Sequence, residues 1–297
     1  MQHSLPGKAE ATLREILPRL VLSPSLFLIL LFVYGFILYT GYLSLTDSRM
    51  LPSYDLQGFD NYARLWGQRN WITALQNLAN FGILYILICS LLGLVLAIFL
   101  DQKIRGEGIL RPIYLYPMAL SFIVTGTAWK WFLDPGLGLE NTMHLWGWES
   151  FTFDWIKDRN MAIYTVVIAA VWQSSGFVMA MFLAGLRGID SEILKAAQMD
   201  GAGRWSLYTR IMIPQLRPVF LSAFVVLAHL AIKAYDLVIA LTNGGPGRAT
   251  ELPATFMYSY TFTRNQMGVG ASSAVIMLAM IASIIVPYLY AELRERR

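Results

Sequence analysis

The sequence predicts an all-α membrane protein with six transmembrane helices. Hydrophobic residues make up 56% of the chain and charged residues only 14%, whereas a soluble domain usually carries about 25% charged residues. The charges cluster in short stretches between long apolar runs, as expected of a chain dissolved in lipid. Basic residues flank these runs and form no single patch, which indicates a membrane topology and argues against nucleic-acid binding.

Six apolar runs are long enough to cross a bilayer, for which a helix needs about 20 apolar residues. They are Leu20–Leu45, Leu78–Leu100, Pro112–Leu133, Met161–Leu186, Val219–Leu241 and Gly268–Tyr290. The third run carries Lys130 near its end, where the long side chain can reach the interface. The fifth run carries Lys233 and Asp236 and is the weakest of the six by hydropathy.

The first run is expected to be a retained helix rather than a cleaved secretion signal. Leu20–Thr46 contains no charge, is longer than the apolar part of a signal, and is followed by no clear small-residue cleavage site. We therefore predict an N-terminal segment over residues 1–19, a transmembrane domain over 20–290 with a large loop at 187–218, and a tail over 291–297.

The distribution of lysine and arginine predicts the orientation of the helices. With the N-terminus in the cytoplasm, the inside segments hold 14 of the 23 basic residues, the outside segments hold eight, and Lys233 lies within the fifth helix. Cytoplasmic loops carry an excess of lysine and arginine. Six helices then place both termini, and the loop at 187–218, in the cytoplasm.

The first half of the 187–218 loop carries the signals of a short helix. Asp190 or Ser191 can cap its start, and Glu192 is favourably placed against the helix dipole. Gly201 follows ten residues later and provides a stop, because glycine enters the left-handed region without a steric penalty. The loop is therefore predicted to begin with a capped helix that ends before Gly201.

A second short helix is predicted from Arg204 to Ile213. Pro214 is expected to end it, because proline disfavours helical geometry in the residue before it. The small residues Ala196, Ala197, Gly201 and Ala202 lie at the joint between the two helices. Two short helices at an angle form a compact knob that fits a cleft on another protein.

The knob also carries a recognisable pattern, Glu192-x3-Ala196-Ala197-x2-Asp200-Gly201-Ala202-x5-Tyr208-x2-Ile211-x-Ile213-Pro214. This pattern resembles the EAA loop of the permeases of ATP-binding-cassette (ABC) importers. The resemblance implies a type I ABC importer permease fold in which the loop is the coupling helix that docks into an ATPase subunit. The coupling residues would be Glu192, Ala196, Ala197, Asp200, Gly201, Ala202, Ile211 and Pro214.

Other stretches resemble the carbohydrate branch of these permeases, the maltose-type family. Gly58-Phe-Asp-Asn61-Tyr62 is similar to an external motif of that family, and Tyr235-Asp236 followed by Leu241-Thr242-x-Gly244-Gly245-Pro246 is similar to another. Tyr235 stands where the family usually has phenylalanine. The resemblance runs from about Gly58 to the C-terminus and does not cover residues 1–19. It implies that Gly244, Gly245 and Pro246 approach an extracytoplasmic binding protein.

Three polar residues in the fifth run are candidates for the substrate pathway. His229, Lys233 and Asp236 are spaced i, i+4 and i+7, so a continuous helix would place them on one face. A charge at the centre of a bilayer costs on the order of 3 kcal/mol, and such residues usually face a cavity or pair with each other. Lys233 and Asp236 are therefore expected either to line the pathway or to form a structural ion pair.

Trp172 and Gln173 in the fourth run are also candidates for sugar contacts. A sugar site uses an aromatic ring under the C–H face of the ring and polar groups around the hydroxyls, and these two residues supply both. The alternative is helix packing, because Trp172, Gly176, Met179 and Leu183 form one stripe, and small residues favour close helix contact.

Together, these features imply that the chain forms half of the translocation pore of an ATP-driven, binding-protein-dependent sugar importer. The partners would be a second homologous permease, two ATP-binding subunits, an extracytoplasmic sugar-binding protein and the lipid of a prokaryotic cytoplasmic membrane. No phosphate-binding loop is present, so ATP and Mg²⁺ are expected on the partner ATPase subunits. The chain is expected to bind no cofactor or metal and to be no enzyme by itself.

General resemblance favours a monosaccharide such as glucose or mannose as the substrate. A second class of function is an ion-coupled secondary transporter that uses Lys233 and Asp236. Such transporters often have more helices and inverted repeats, and the docking loop argues against this class.

Overall fold

The computed structural model describes residues 8–102 and 104–295, and within these ranges the chain is helical apart from turns and one isolated bridge between Thr46 and Leu56. The described residues form fifteen α-helices. They are α1 Lys8–Ile29, α2 Gly35–Leu43, α3 Asp60–Gly67, α4 Arg69–Asp101, α5 Glu107–Ala119, α6 Phe122–Phe132, α7 Leu139–Leu145, α8 Ala162–Arg187, α9 Ser191–Met199, α10 Arg204–Ser206, α11 Ile213–Gln215, α12 Arg217–Ile232, α13 Asp236–Leu241, α14 Pro253–Tyr258 and α15 Met267–Glu295. Three π-helical turns, Leu30–Tyr34, Leu207–Met212 and Ser259–Thr263, connect some of them.

The predicted membrane fold is confirmed, with four straight spans and two bent ones. Among the described residues, four helical stretches are long and apolar enough to cross a bilayer: Leu17–Leu43, Arg69–Asp101, Ala162–Arg187 and Met267–Tyr290. Two further pairs of helices meet the same requirement jointly but bend sharply, so the total is six when each pair counts as one span. Residues 1–7 of the predicted N-terminal segment and 296–297 of the predicted tail lie outside the described residues.

The third predicted run, Pro112–Leu133, is not one straight helix. It forms α5 and α6, which meet at 101°. Leu120 adopts an extended conformation, and the hydroxyl of Ser121 accepts a hydrogen bond from the backbone N–H of Val124, which starts α6. Pro117 lacks a backbone N–H and weakens the last turn of α5. The prediction of an unbroken span was wrong because hydropathy does not register these breaks.

The fifth predicted run, Val219–Leu241, is also broken. Helix α12 ends at Ile232, and the chain resumes a helix only at Asp236. Helix α12 meets the span requirement only together with the preceding Arg204–Gln215 stretch, from which it bends by 61°. Lys233 therefore lies at a helix end rather than within a continuous helix.

The core of the chain is centred on the packing of α4 against α8. Gly93 of α4 lies so close to α8 that an added Cβ would come within 2.6 Å of the Val178 side chain. Met179 and Leu183 of α8 are buried in the same core. The packing interpretation of the stripe in the fourth run is thus confirmed for Met179 and Leu183. Gly93, a small residue, permits the close approach of α4 to α8.

Two asparagines, the buried Asn61 and the half-buried Asn77, fix the segments that lie between the spans. The side-chain amide of Asn61 donates to the carbonyls of Ser44 and Thr46, at 3.0 and 2.7 Å. The amide of Asn77 donates to the carbonyls of Arg248 and Glu251, at 3.1 and 3.0 Å. These bonds satisfy loop carbonyls that have no partner in regular structure.

Candidate functional site

The knob begins with the capped helix that the sequence predicts. The carboxylate of Asp190 accepts a hydrogen bond of 2.8 Å from the backbone N–H of Glu192, and α9 follows from Ser191 to Met199. Asp190 is therefore the capping residue, which stabilises a helix start by about 1 kcal/mol relative to alanine.

Gly201 ends this helix in a left-handed conformation, with φ at +81°. The backbone N–H of Ala202 donates to the carbonyl of Ala197 at 3.0 Å, and that of Gly201 donates to Gln198 at 3.1 Å. These two bonds are the Schellman motif of helix C-termini. No atom lies within 4 Å of the position that a Cβ of Gly201 would occupy, so backbone geometry, not space, requires glycine here.

The second helix of the knob is longer than predicted. Helical structure runs from Arg204 to Gln215 and includes the π-helical turn Leu207–Met212. Pro214 was expected to end the helix, but it lies within the last helical turn, and the break comes at Leu216. Pro214 follows directly on the π-helical turn Leu207–Met212, where the i to i−4 bonding that a proline would interrupt is already replaced.

The knob presents two large exposed apolar side chains. Met199 is 88% exposed and Trp205 is 82% exposed, and neither was singled out in the sequence. Among the predicted coupling residues, Glu192, Ala196, Asp200, Gly201 and Pro214 are exposed, whereas Ala197, Ala202 and Ile211 are half-buried. Ala197 packs against the chain's own core, so Ala196, rather than Ala197, faces outward.

Two polar contacts lie where the knob meets the membrane helices, and sequence reasoning missed both. The hydroxyl of Tyr208 in the knob donates to the carboxylate of Asp101 at 2.9 Å, at the end of α4. The guanidinium of Arg187, which ends α8, bonds Glu107 of α5 at 2.7 Å and the carbonyl of Leu100 of α4 at 3.3 Å. Charge-assisted hydrogen bonds are about twice as strong as neutral ones. The knob is thus bonded to α4 through Tyr208, and Arg187 joins α8 to α4 and α5 just before the knob begins.

The break between α12 and α13 opens onto a narrow cavity of ≈ 50 Å³, lined by Lys233, Tyr235 and Asp236 together with Phe81 and Tyr85. Phe81 and Tyr85 are stacked at 5.4 Å and lie one turn apart on α4. They were missed because an i, i+4 aromatic pair in an apolar run has the appearance of ordinary packing.

The predicted arrangement of the polar residues at this break is wrong in two respects. His229, Lys233 and Asp236 do not share one helical face, because the helix ends at Ile232. Within the described part of the chain, no ion pair joins Lys233 to Asp236, and both side chains are exposed. His229 is half-buried and does not line the cavity.

Trp172 and Gln173 are not brought together around one ligand. Trp172 lines an apolar groove of ≈ 630 Å³ and meets Trp129 edge to face at 5.9 Å. Gln173 is 97% buried, and its amide donates to the carbonyl of Leu120 at 2.8 Å, at the bend between α5 and α6. Gln173 thus satisfies a carbonyl that the broken helix leaves free, as membrane burial requires.

The loop after α13 is a rigid turn. Gly244 and Gly247 have positive φ angles of +79° and +65°, and the hydroxyl of Thr250 lies 2.7 Å from that of Thr242 and donates to the carbonyl of Gly245. Gly244, Gly245 and Pro246 are all partly exposed.

Comparison with known proteins agrees with this architecture. The sequence is 42% identical over 273 residues to a probable ABC transporter permease of Pyrococcus horikoshii, with 91% of this chain and 94% of the relative covered. It is 35% identical to the xylose/arabinose import permease of Haloferax volcanii, with 89% and 84% covered. The fold matches a permease chain in the crystal structure of a bacterial ABC transporter involved in import of the acidic polysaccharide alginate, with a TM-score of 0.82, 19% identity and coverage of 97% and 99%.

The membrane fold and these relatives identify a multi-pass permease subunit of an ABC transporter, a class whose members are not themselves enzymes. Residues 90–297 match the family described as binding-protein-dependent transport system inner membrane component, and the chain belongs to that family.

Proposed function

We propose that this chain forms half of the translocation pore of a sugar importer and that its 187–218 loop couples the pore to ATP hydrolysis. The observation that carries the proposal is the knob, which exposes Met199 and Trp205 and is bonded to α4 through Tyr208. Beside it, Arg187 joins the end of α8 to α5. Closure of two ATPase subunits would move both knobs together. The Tyr208–Asp101 and Arg187–Glu107 contacts would pass this motion to α4, α5 and α8.

The remaining partners follow from surfaces that the chain leaves open. The apolar stretch Leu17–Leu43 has no buried residue in its most hydrophobic window, so lipid and a second homologous permease would cover it. ATP and Mg²⁺ would be bound by the two ATPase subunits. A sugar-binding protein would dock at the turn formed by Gly244, Gly245 and Pro246. Lys233 and Asp236 at the helix break would face the pore between the two permeases.

The substrate is proposed to be a sugar because the Haloferax volcanii relative, 35% identical, is named for xylose and arabinose import. The hydrogen-bonding groups of Tyr85, Tyr235 and Asp236 at the break suit hydroxyl groups. We propose glucose or mannose as the transported monosaccharide. Ion-coupled transport through Lys233 and Asp236 is not favoured, because the chain belongs to the binding-protein-dependent family.

The experiment is a measurement of ATP hydrolysis by the complete importer in liposomes, with its binding protein loaded in turn with glucose, mannose, xylose, arabinose, maltose or trehalose. At least one sugar is expected to stimulate hydrolysis, whereas the ligand-free binding protein stimulates it weakly. An importer that responds to none of the six, but responds to an amino acid such as histidine, would contradict the sugar assignment.

The proposed orientation places both termini in the cytoplasm, from the excess of basic residues in the inside segments. A reporter enzyme that is active only outside should therefore be active when fused at Ser150 and inactive when fused at Arg297. A reporter active only in the cytoplasm should give the reverse pattern at the same two sites. Equal activity at both sites would contradict a topology of six spans with both ends inside.

The proposed pathway role of Lys233 and Asp236 has a direct test. Because no ion pair joins them in the described structure, neutralising both should not rescue what each single change loses. Lys233→Met, Asp236→Asn and the double variant should assemble, with transport lowered about tenfold in each, since a hydrogen bond to a charged group contributes about 1.5–3 kcal/mol. Lys157→Met, on the exposed loop before α8, is the control for loss of one positive charge. Normal transport by an assembled double variant would reject the pathway role.

A further inference from the structure

A second, wider cavity adjoins the helix break on the side of the Gly244–Pro246 turn. Its volume is ≈ 420 Å³, and its wall includes Tyr235, which also lines the narrow inner cavity. Its lining also includes Asn243 and Gly244 of the turn. The two cavities therefore share Tyr235 as a wall. The wider one lies in the size range of ligand sites, about 300–1,000 Å³.

An aromatic pair stands at the junction of the two cavities. The rings of Tyr235 and Tyr258 lie 4.9 Å apart at an angle of 41°. Tyr258 lines the cavity, is 43% exposed and has Phe262 as a second aromatic neighbour at 5.0 Å, so part of its ring remains accessible. A sugar ring places its C–H face against such an aromatic surface, while the phenolic hydroxyls remain available for hydrogen bonds.

A charged pair lies on another wall of this cavity. The guanidinium of Arg248 is 3.4 Å from the carboxylate of Glu251, whose side chain is only 11% exposed. Burial raises the pKa of the Glu251 carboxyl, while Arg248 and Arg264 act in the opposite direction. Asn77 holds the backbone carbonyls of both Arg248 and Glu251, so the pair has a fixed position. A carboxylate that accepts and a guanidinium that donates match the two roles of a sugar hydroxyl.

The third wall is the π-helical turn Ser259–Thr263, which contributes the hydroxyl-bearing Ser259 and Thr263 to the cavity. Single π-helical turns are frequently found at functional sites. Aromatic, charged and hydroxyl groups thus converge on one cavity from three separate elements.

We propose that this cavity is an outer sugar-binding subsite, in which a neutral sugar rests on Tyr258 and exchanges hydrogen bonds with Glu251 and Arg248 before it passes Tyr235. The inference rests on the proposed import of sugar and adds a second site to it. Tyr235 separates this subsite from the Lys233–Asp236 break. Transfer from the binding protein would then occur in two steps, first into the outer subsite and then past the tyrosine pair.

The test uses the complete importer with Ser259→Cys. The natural Cys89 is fully buried, so a membrane-impermeant methanethiosulfonate should label the new thiol selectively. Free glucose, mannose, xylose, arabinose, maltose and trehalose are added one at a time, and the labelling rate is measured. The sugar that stimulates ATP hydrolysis should slow labelling about tenfold at ten times its Kd, because only the empty site reacts. Thr152→Cys, exposed on another loop, is the control whose labelling should not change.

Two further variants separate the possible occupants of the cavity. In the Ser259→Cys background, Tyr258→Ala should abolish protection by sugar, whereas Tyr258→Phe, which keeps the ring, should retain it. The subsite is overturned if no sugar protects Ser259→Cys while loaded binding protein still stimulates hydrolysis, a result that leaves the proposed function intact. It is also overturned if ligand-free binding protein protects as well as sugar does, since the cavity would then be a docking surface. If no sugar stimulates hydrolysis, the sugar function fails and the subsite fails with it.

Discussion

Gly201→Val should leave a correctly inserted permease whose ATP hydrolysis no longer responds to loaded binding protein. Gly201 has φ at +81°, and a residue with a Cβ adopts this conformation at a cost of about 1–2 kcal/mol. Valine should therefore shift the last turn of α9 and misplace Arg204–Gln215 relative to it. A penalty of this size lowers the population of the native knob by a factor of about 5–30. The change lies outside the membrane spans, so the amount of chain in the membrane should be unchanged.

Gly203→Val is the matched control, because it adds the same side chain to the same knob. Gly203 has φ at −69°, which valine adopts without strain, and nothing lies within 4 Å of its Cβ position. Stimulated hydrolysis should persist in Gly203→Val and be lost in Gly201→Val. Equal loss in both would assign the effect to bulk on the surface rather than to the left-handed turn.

Ala197→Trp and Ala196→Trp should both weaken association with the ATPase subunit, but for different reasons. Ala197 packs against the chain's own core, so tryptophan there should push α9 away from the membrane body, whereas Ala196 is exposed and tryptophan there should obstruct the ATPase cleft. Suppressors of Ala196→Trp are expected in the ATPase subunit, and suppressors of Ala197→Trp within this chain. Unchanged ATPase association in both variants would contradict a docking role for this helix.

Gly176→Val should have the largest effect on the amount of folded chain. A Cβ at Gly176 would overlap the backbone carbonyl of Tyr114 in α5, and backbone cannot rotate away as a side chain can. Overpacking of this kind costs on the order of 3 kcal/mol, a large part of the stability of a typical domain. The purified variant should show a markedly lower melting temperature and a reduced yield from the membrane.

Gly41→Val is the control for this change, because Gly41 also lies in a membrane helix and nothing lies within 4 Å of its Cβ position. Its yield and melting temperature should match those of the unmodified chain. If Gly176→Val were as stable as Gly41→Val, the close contact between α5 and α8 would not exist in the folded protein.

The parts of this structure that the sequence predicts are those encoded by local signals. The capped start of α9 at Asp190 and its end at Gly201 depend on residues a few positions apart, and both predictions are confirmed. The straight spans follow from apolar runs long enough to cross the bilayer. For the same reason, α8, which spans Ala162–Arg187, differs by only one residue at each end from the fourth predicted run, Met161–Leu186.

The breaks in the third and fifth spans could not be predicted, because residues far apart in the chain stabilise them. Gln173 satisfies the carbonyl of Leu120, 53 positions away, at the bend between α5 and α6. Tyr85, which lines the inner cavity, is held by a bond of 2.7 Å to Ser174, 89 positions away. Each residue looks ordinary in its own segment, and only the tertiary packing brings the partners together.

The most direct test of the account is purification of the tagged chain from its native membrane in mild detergent, followed by assay of ATP hydrolysis. The account predicts that ATP-binding subunits and a second permease co-purify with the chain, and that loaded binding protein stimulates hydrolysis in the unmodified complex and in Gly203→Val but not in Gly201→Val. A chain that purifies without an ATPase subunit would contradict it. A Gly201→Val complex stimulated as strongly as the unmodified one would show that the 187–218 knob is not the coupling element.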